Sequence, residues 1–269
     1  MRVATWNVNS LKVRLERVEE WLGYANVDVL CLQETKLSDS AFPSMAFEAL
    51  GYSSVHFGHG QWNGVAILSR VGIENVTNGF SDAVVGSGQP DEYVAGVLNE
   101  ARMITADCGG VTITSVYVPN GRTVDDPHYV AKLEWLARLR EHYVCMSSPQ
   151  KPVVLCGDFN IAPDDRDVWD PKKFKDSTHV TPAERNRLLE LESWGFTDLF
   201  RAKYSQDRLY TYWDYRAGDF HQHRGMRIDL VFGTAPIVNG LQWAFVDRNA
   251  RKGKLPSDHT PVIVEFNVA

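Results

Sequence analysis

Five apolar runs in this 269-residue chain end on, or lead into, side chains that bind metal ions or move protons. Val153-Val154-Leu155-Cys156-Gly157 stops at Asp158, with Asn160 two residues on, and the run from Val27 to Gln33 stops at Glu34. Arg2 to Trp6 closes on Asn7, Arg227-Ile228-Asp229 opens Leu230-Val231-Phe232, and Ser257-Asp258-His259 precedes Pro261-Val262-Ile263-Val264. Carboxylates, an amide and an imidazole can hold a hard cation beside a phosphate and pass a proton at it. Collected at one point, these tips predict a metal-dependent phosphodiesterase site.

Mg²⁺ takes oxygen ligands and keeps several waters, so one or two carboxylates suffice, and Mn²⁺ accepts the same donors. Glu34 is the first choice of ligand; Asn7 offers a carbonyl oxygen, and Asp258 is a further ligand, direct or through water. Alone, Glu34 reads as a solvated strand end and Asn7 as a turn former; only the shared pattern points to a metal. Asp158 and Asn160 lie two apart on extended chain and point the same way, which suits a general base and a group that orients its water. The same spacing suits an Asx turn ending a strand. His259, the one of eight histidines inside such a pattern, can donate to a phosphate oxygen, although a lone histidine at a strand start is usually surface.

Tyr117 stands at a strand end where its hydroxyl could reach the phosphate or the leaving group, and Asn120 and Arg122 after it are candidate backbone-phosphate contacts. Substrate choice falls to the aromatic stretch Tyr210 to Tyr215 with Met226 and Ile228. Tyr212, Trp213 and Met226 would wall an apolar pocket that fits a deoxyribose lacking its base and is too small for a base. Aromatic residues more often build core than pockets.

The elements that must position these groups are legible. Short Val, Ile and Leu runs read as strands buried on both faces. Leu11, Leu15, Val18 and Leu22 make one helical stripe, and Tyr129, Leu133, Leu136, Leu139 and Tyr143 a second. Thr181-Pro182-Ala183-Glu184 is a capping box with proline at the first helical position; it opens a helix ending near Gly195, with Leu188, Leu189 and Leu191 on its core face. Two alternating runs around Asp107-Cys108-Gly109-Gly110 read as an antiparallel hairpin, which makes the sheet arrangement mixed. Residues 161–180 and 205–226 read as long loops that carry substrate contacts.

A hydrophobic content of 44% is ample for a large core. No linker divides the chain, and the motif residues run from Asn7 to His259, so residues 1–269 read as a single domain. The amino-terminal residues lack a signal-peptide pattern and no apolar stretch approaches membrane-spanning length, which predicts a cytoplasmic protein that does not enter membranes. Cys31, Cys108, Cys145 and Cys156 lack paired metal-ligand spacing, which argues against zinc and disulfides. A net charge of −6 argues against a protein that coats nucleic acid non-specifically, but a local basic rim can still hold phosphates. Candidates for that rim are Lys172, Lys173 and Lys175, then Arg224 and Arg227, then Arg248, Arg251, Lys252 and Lys254.

Trp6-Asn7, Leu32-Gln33-Glu34-Thr35-Lys36, Tyr117-Val118-Pro119-Asn120-Gly121, Gly157-Asp158-Phe159-Asn160, Arg227-Ile228-Asp229 and Ser257-Asp258-His259 resemble, in order and spacing, the motifs of the exonuclease III family. The resemblance covers essentially the whole chain. Trp213-Asp214-Tyr215-Arg216 and Gly225 to Asp229 favour this branch over deoxyribonuclease I-like and lipid-phosphate relatives. It implies an α/β fold, a four-layer α-β-β-α sandwich with two mixed β-sheets flanked by helices and the site at one rim. It also implies Mg²⁺-dependent cleavage of double-stranded DNA at abasic sites and from 3′ ends, a Tyr117 hydroxyl at the phosphate, and a pairing of His259 with Asp229. Asn9 departs from the pattern, because some abasic endonucleases place an aspartate ligand there; the bacterial exonuclease III-like branch is the better match. A monomer is the default. Two other functions stand beside this one: hydrolysis of an inositol or lipid phosphodiester, and damage binding without turnover.

Overall fold

The structure, a computed structural model, describes residues 1–81 and 91–268. In chain order its strands are β1 (Arg2–Asn7), β2 (Val29–Gln33), β3 (Ser53–Phe57), β4 (Val65–Ser69), β5 (Glu74–Asn78), β6 (Met103–Cys108), β7 (Val111–Tyr117), β8 (Val153–Asp158), β9 (Thr197–Asp198), β10 (Asp229–Gly233), β11 (Leu241–Val246) and β12 (Val262–Phe266). They form two six-stranded sheets, in the orders β11-β12-β1-β2-β4-β3 and β5-β6-β7-β8-β10-β9. Parallel pairs β1–β2 and β7–β8 sit among antiparallel neighbours, so both sheets are mixed, as the sequence predicts.

Period-two alternation decides which side chains meet between the sheets. Val3, Val29, Cys31, Ile67, Ile113, Val154, Cys156 and Val231 point inward and form the central layer. The residues between them point outward under helices: Ala4, Leu30 and Leu68 under α1 (Leu11–Ala25), and Val153, Leu155 and Leu230 under α4 (Pro127–Met146) and α5 (Pro182–Trp194), the shorter helices being α2 (Ser44–Glu48), α3 (Glu92–Leu98) and α6 (Ala235–Gly240). Helix, sheet, sheet, helix is the expected four-layer order. Among the described residues no helix is long and apolar enough to cross a membrane.

The capping box is present at α5: Thr181 Oγ1 accepts from the Glu184 N–H and the Glu184 carboxylate accepts from the Thr181 N–H, with Gly195 at the far end. Leu188 and Leu191 are buried, but Leu189 is exposed, because a residue one step past Leu188 turns by about 100° out of the stripe. The α4 stripe is also rotated from expectation. Lys132 and Trp135 are buried where Leu133 is half-buried, because the seam facing α5 accepts a lysine that Glu184 neutralises. Of the cysteines, Cys31, Cys108 and Cys156 are buried between the sheets and Cys145 is exposed near the end of α4.

Candidate active site

The inward parity that fills the central layer continues past its apolar part at one rim. Thr5 and Asn7 follow Val3, Gln33 follows Cys31, Ser115 and Tyr117 follow Ile113, Asp158 follows Cys156, and Asp229 precedes Val231. Thr5 donates to Gln33 Oε1 and Gln33 donates to Ser115 Oγ, giving a hydrogen-bonded floor on which the carboxylates stand. Gln33 and Ser115 were not among the sequence candidates, although their parity marks them.

Gly157 lets β8 reach its place, since a Cβ there would lie 1.9 Å from the Val116 carbonyl oxygen of β7. The chain then turns sharply. Glu34 (φ 51°) and Asn160 (φ 51°) both adopt the left-handed conformation, a strained choice for a glutamate and one that persists where surrounding structure enforces it. Asp158 Oδ1 accepts from the Asn160 N–H at 2.9 Å, the Asx turn that the spacing allows, which leaves Oδ2 facing the site.

Carboxylate oxygens of Glu34 and Asp158 and a ring nitrogen of His259 lie within 4.8 Å of one another. The Asn7 amino group donates to Glu34 Oε1 at 2.9 Å and to Asp158 Oδ2 at 2.8 Å, while its carbonyl oxygen accepts from the Asn9 N–H. The Asn7 amide thus stands as a donor between the two carboxylates. Asp258 lies beside this trio, held by Asn9 Nδ2 at 3.1 Å, and Asn9 Oδ1 accepts from Lys36, which also pairs with Glu34 at 2.9 Å. The trio is predominantly oxygen donors at a partly open rim, which fits a hard divalent cation.

Asp229 Oδ2 lies 2.8 Å from His259 Nδ1, and His259 Nε2 points back to Asp158 Oδ2 at 3.7 Å. Burial disfavours the imidazolium, but Asp229 and Asp158 outweigh it and raise the His259 pKa to about 10. Burial raises the Asp158 carboxyl to about 7; Asp229 and Glu34 push the same way, against His259 and Asn7. Burial also works against the Glu34 carboxylate, yet Lys36 and Asn7 hold its pKa below the usual range. Burial, with Glu34 beside it, keeps the Tyr117 hydroxyl protonated far above its ordinary range. The rim thus holds a charged donor, a carboxylate poised to exchange a proton, and a carboxylate held ionised.

Asn160 is packed into the wall: its Nδ2 donates to the Val118 carbonyl and its Oδ1 accepts from Asn120. Its backbone carbonyl accepts from Lys132 at 2.7 Å and from His179. Lys132 in turn pairs with Glu184, so the glutamate of the α5 capping box also anchors the Asp158–Asn160 turn, a link that no local motif announces. His179 is neutral, its pKa lowered to about 4 by burial and then by Lys132. Arg122 is exposed and reaches Asp126 at 3.6 Å.

The two long loops close the other side. Tyr212 and Met226 exchange backbone hydrogen bonds of 2.9 and 3.0 Å, and the Tyr212 ring lies 4.9 Å from that of His259. Met226 packs with Val168 and Ile228, and Phe174 and Tyr212 flank them. Trp213 does not face the pocket. Its ring is fully buried, with the guanidinium groups of Arg248 and Arg251 over it, and its backbone N–H donates to the Asp258 carbonyl. An indole of that size contributes more as the loop's own core. Arg227 is likewise corrected from rim to interior: it makes two hydrogen bonds to Asp167 and one to Asp198, tying the 161–180 loop to β9 and β10.

With this geometry in hand, residues 4–259 match the model of the Endonuclease/Exonuclease/phosphatase family. The chain belongs to that family. Within the family, it is 30% identical to the DNA repair nuclease APEX1 of Danio rerio, over 97% of this chain and 81% of that protein. It is 28% identical to an exodeoxyribonuclease of Bacillus subtilis over the full length of both. Among solved structures, an AP endonuclease of Archaeoglobus fulgidus superposes with a TM-score of 0.91 at 33% identity, covering all of both chains. A 3′-5′ exonuclease of Neisseria meningitidis superposes with a TM-score of 0.90 at 36% identity, covering 99% of this chain and all of that one. The exonuclease III resemblance and the four-layer fold expected from the sequence are borne out.

Proposed function

We propose that this chain is a metal-dependent DNA repair nuclease that hydrolyses phosphodiester bonds 5′ to abasic sites and removes nucleotides from the 3′ ends of duplex DNA. It would act as a monomer in the cytoplasm, with residues 1–269 as one domain. The observation that carries this reading is the line Asp229–His259–Asp158 beside Glu34, at the rim of a fold shared with named AP endonucleases and exonucleases.

In this reading Asp158 takes the proton of the attacking water, which its raised pKa suits near neutral pH. Asn160 fixes the turn that aims Asp158. His259, oriented and kept charged by Asp229, donates to a phosphate oxygen as negative charge develops there. The Tyr117 hydroxyl adds a second donor, and Asn120 and Arg122 hold neighbouring backbone. Glu34 would hold Mg²⁺, for which Mn²⁺ could substitute; Asp158 is within reach, Asp258 would contribute from beside the trio, and Asn7 keeps the two carboxylates in place. The cation, when bound, supplies positive charge to the phosphate oxygens. Tyr212 and Met226 bound a pocket for a sugar without a base.

The test places a duplex carrying one abasic site beside an intact duplex with a recessed 3′ end, with Mg²⁺ and with chelator. Incision 5′ to the lesion and shortening of the 3′ end, both stopped by chelator, are expected. Lesion-specific binding without cleavage would replace this reading with a damage-binding protein. Turnover of inositol or lipid phosphodiesters alone would replace it with the other hydrolase.

A further inference from the structure

The two loops that flank the pocket meet at Trp169. Its backbone N–H donates to the Gly225 carbonyl at 3.0 Å, and its neighbour Val168 bridges to Met226. Lys173 Nζ lies 4.9 Å from the Trp169 ring centroid and the Arg224 guanidinium 5.2 Å from it. Phe174 meets the indole edge-on at 6.2 Å and leans on the Met226 cluster.

Each cation is attracted to the electron-rich face of the ring, but two like charges sharing one ring repel. Among the described residues neither is in an ion pair; the Asp170 carboxylate, three residues before Lys173, accepts from the backbone N–H groups of Lys172 and Lys173. The arrangement is complete only with an anion. Two cations side by side at the edge of the pocket match a phosphate, whose oxygens can accept from both at once. A chain of net charge −6 must draw its affinity for a polyanion from such local clusters.

We propose that Trp169, Lys173 and Arg224 form a seat for backbone phosphates of the strand whose nucleotide enters the Met226 pocket, separate from the phosphate that is cut. This rests on the reading of the chain as a DNA nuclease. The seat fixes the strand next to the pocket through Gly225 and Val168, so it governs how tightly a duplex is held rather than how fast the bond breaks.

The test measures binding of a short duplex with one reduced abasic site, in chelator, across a range of salt. Lys173→Ala combined with Arg224→Ala should make log K against log salt shallower by about 1.8, the release from two phosphates, and each single change by about half of that. Trp169→Leu should weaken binding by freeing both cations, and Lys173→Arg should restore the slope. In Mg²⁺ turnover the double variant should raise KM and leave kcat alone. An unchanged slope, or a fall in kcat with KM unaltered, overturns the seat. A wild-type protein that binds the duplex and never cuts it overturns the nuclease reading instead, while the slope still decides the seat.

Discussion

Asp158 shows how one side chain can serve two ends. Its Oδ1 ends the strand by an Asx turn, and its Oδ2 lies against Asn7 and near His259. Asp158→Asn keeps an oxygen for the turn and removes the proposed base, so cleavage should fall by a factor of about 10² or more, as is usual for loss of a general base. Because burial, Asp229 and Glu34 all disfavour its charge, the same variant should melt at a higher temperature than wild type in chelator. Near-full activity, or a lower melting temperature, would reject this account. His259→Asn and Asp229→Asn should each cut kcat heavily and be far from additive, since each removes the same oriented imidazolium; a double-mutant cycle giving simple additivity would refute the pairing. The sequence exposed these residues because each ends or opens an apolar run. It could not show which Asn7 atom faces the carboxylates, because that follows from three neighbours brought together from distant strands.

At the scale of the element, α5 joins a local signal to a distant one. The capping box was readable from Thr181 and Glu184 alone, whereas the Lys132 pairing was hidden, because a lysine within an apolar stripe looks like a solvated gap. Both side chains of that pair are fully buried. Glu184→Gln leaves an unpaired buried ammonium and should cost about 3–5 kcal/mol, and Lys132→Met in the same chain should recover much of it. Denaturant midpoints measure this directly; additive losses would mean that the pair is not coupled. The rotated α4 stripe and the exposed Leu189 have the same origin: helical periodicity fixes a face to within one residue, and the partner helix decides the rest.

Across the whole molecule, ion pairs and not loops of regular structure hold the long connections. Asp167 is buried between Arg227 and Arg201, and these, with Asp198, brace the 161–180 loop against β9 and β10. Burial works against the charges of Asp167 and Glu184, yet the nearby cations win, and both pKa values lie below the ordinary carboxylate range. A depressed folded-state pKa stabilises above the unfolded value and is lost as pH falls through the folded one. Stability should therefore hold at neutral pH and fall below the usual carboxylate range, and Asp167→Asn should flatten that acid limb in pH-dependent melting. An acid limb identical to wild type would remove Asp167 from it. The layer order and mixed sheets were legible from alternation and the hairpin, since those depend on neighbours in sequence. Arg227 was misplaced at the rim because its two acidic partners lie 60 and 29 residues away.

The distribution of thiols gives the protein a ready spectroscopic handle. Cys31, Cys108 and Cys156 are sealed between the sheets, out of reach of a reagent in solvent, and burial pushes the Cys31 and Cys108 thiols up. Cys145 is open to solvent near the end of a 20-residue helix that begins just after the catalytic rim, on the order of 30 Å away. A maleimide fluorophore should add once to the unmodified native chain, read as a single mass increment. Energy transfer from that dye to one on a DNA end would then report docking and release in real time without an engineered cysteine.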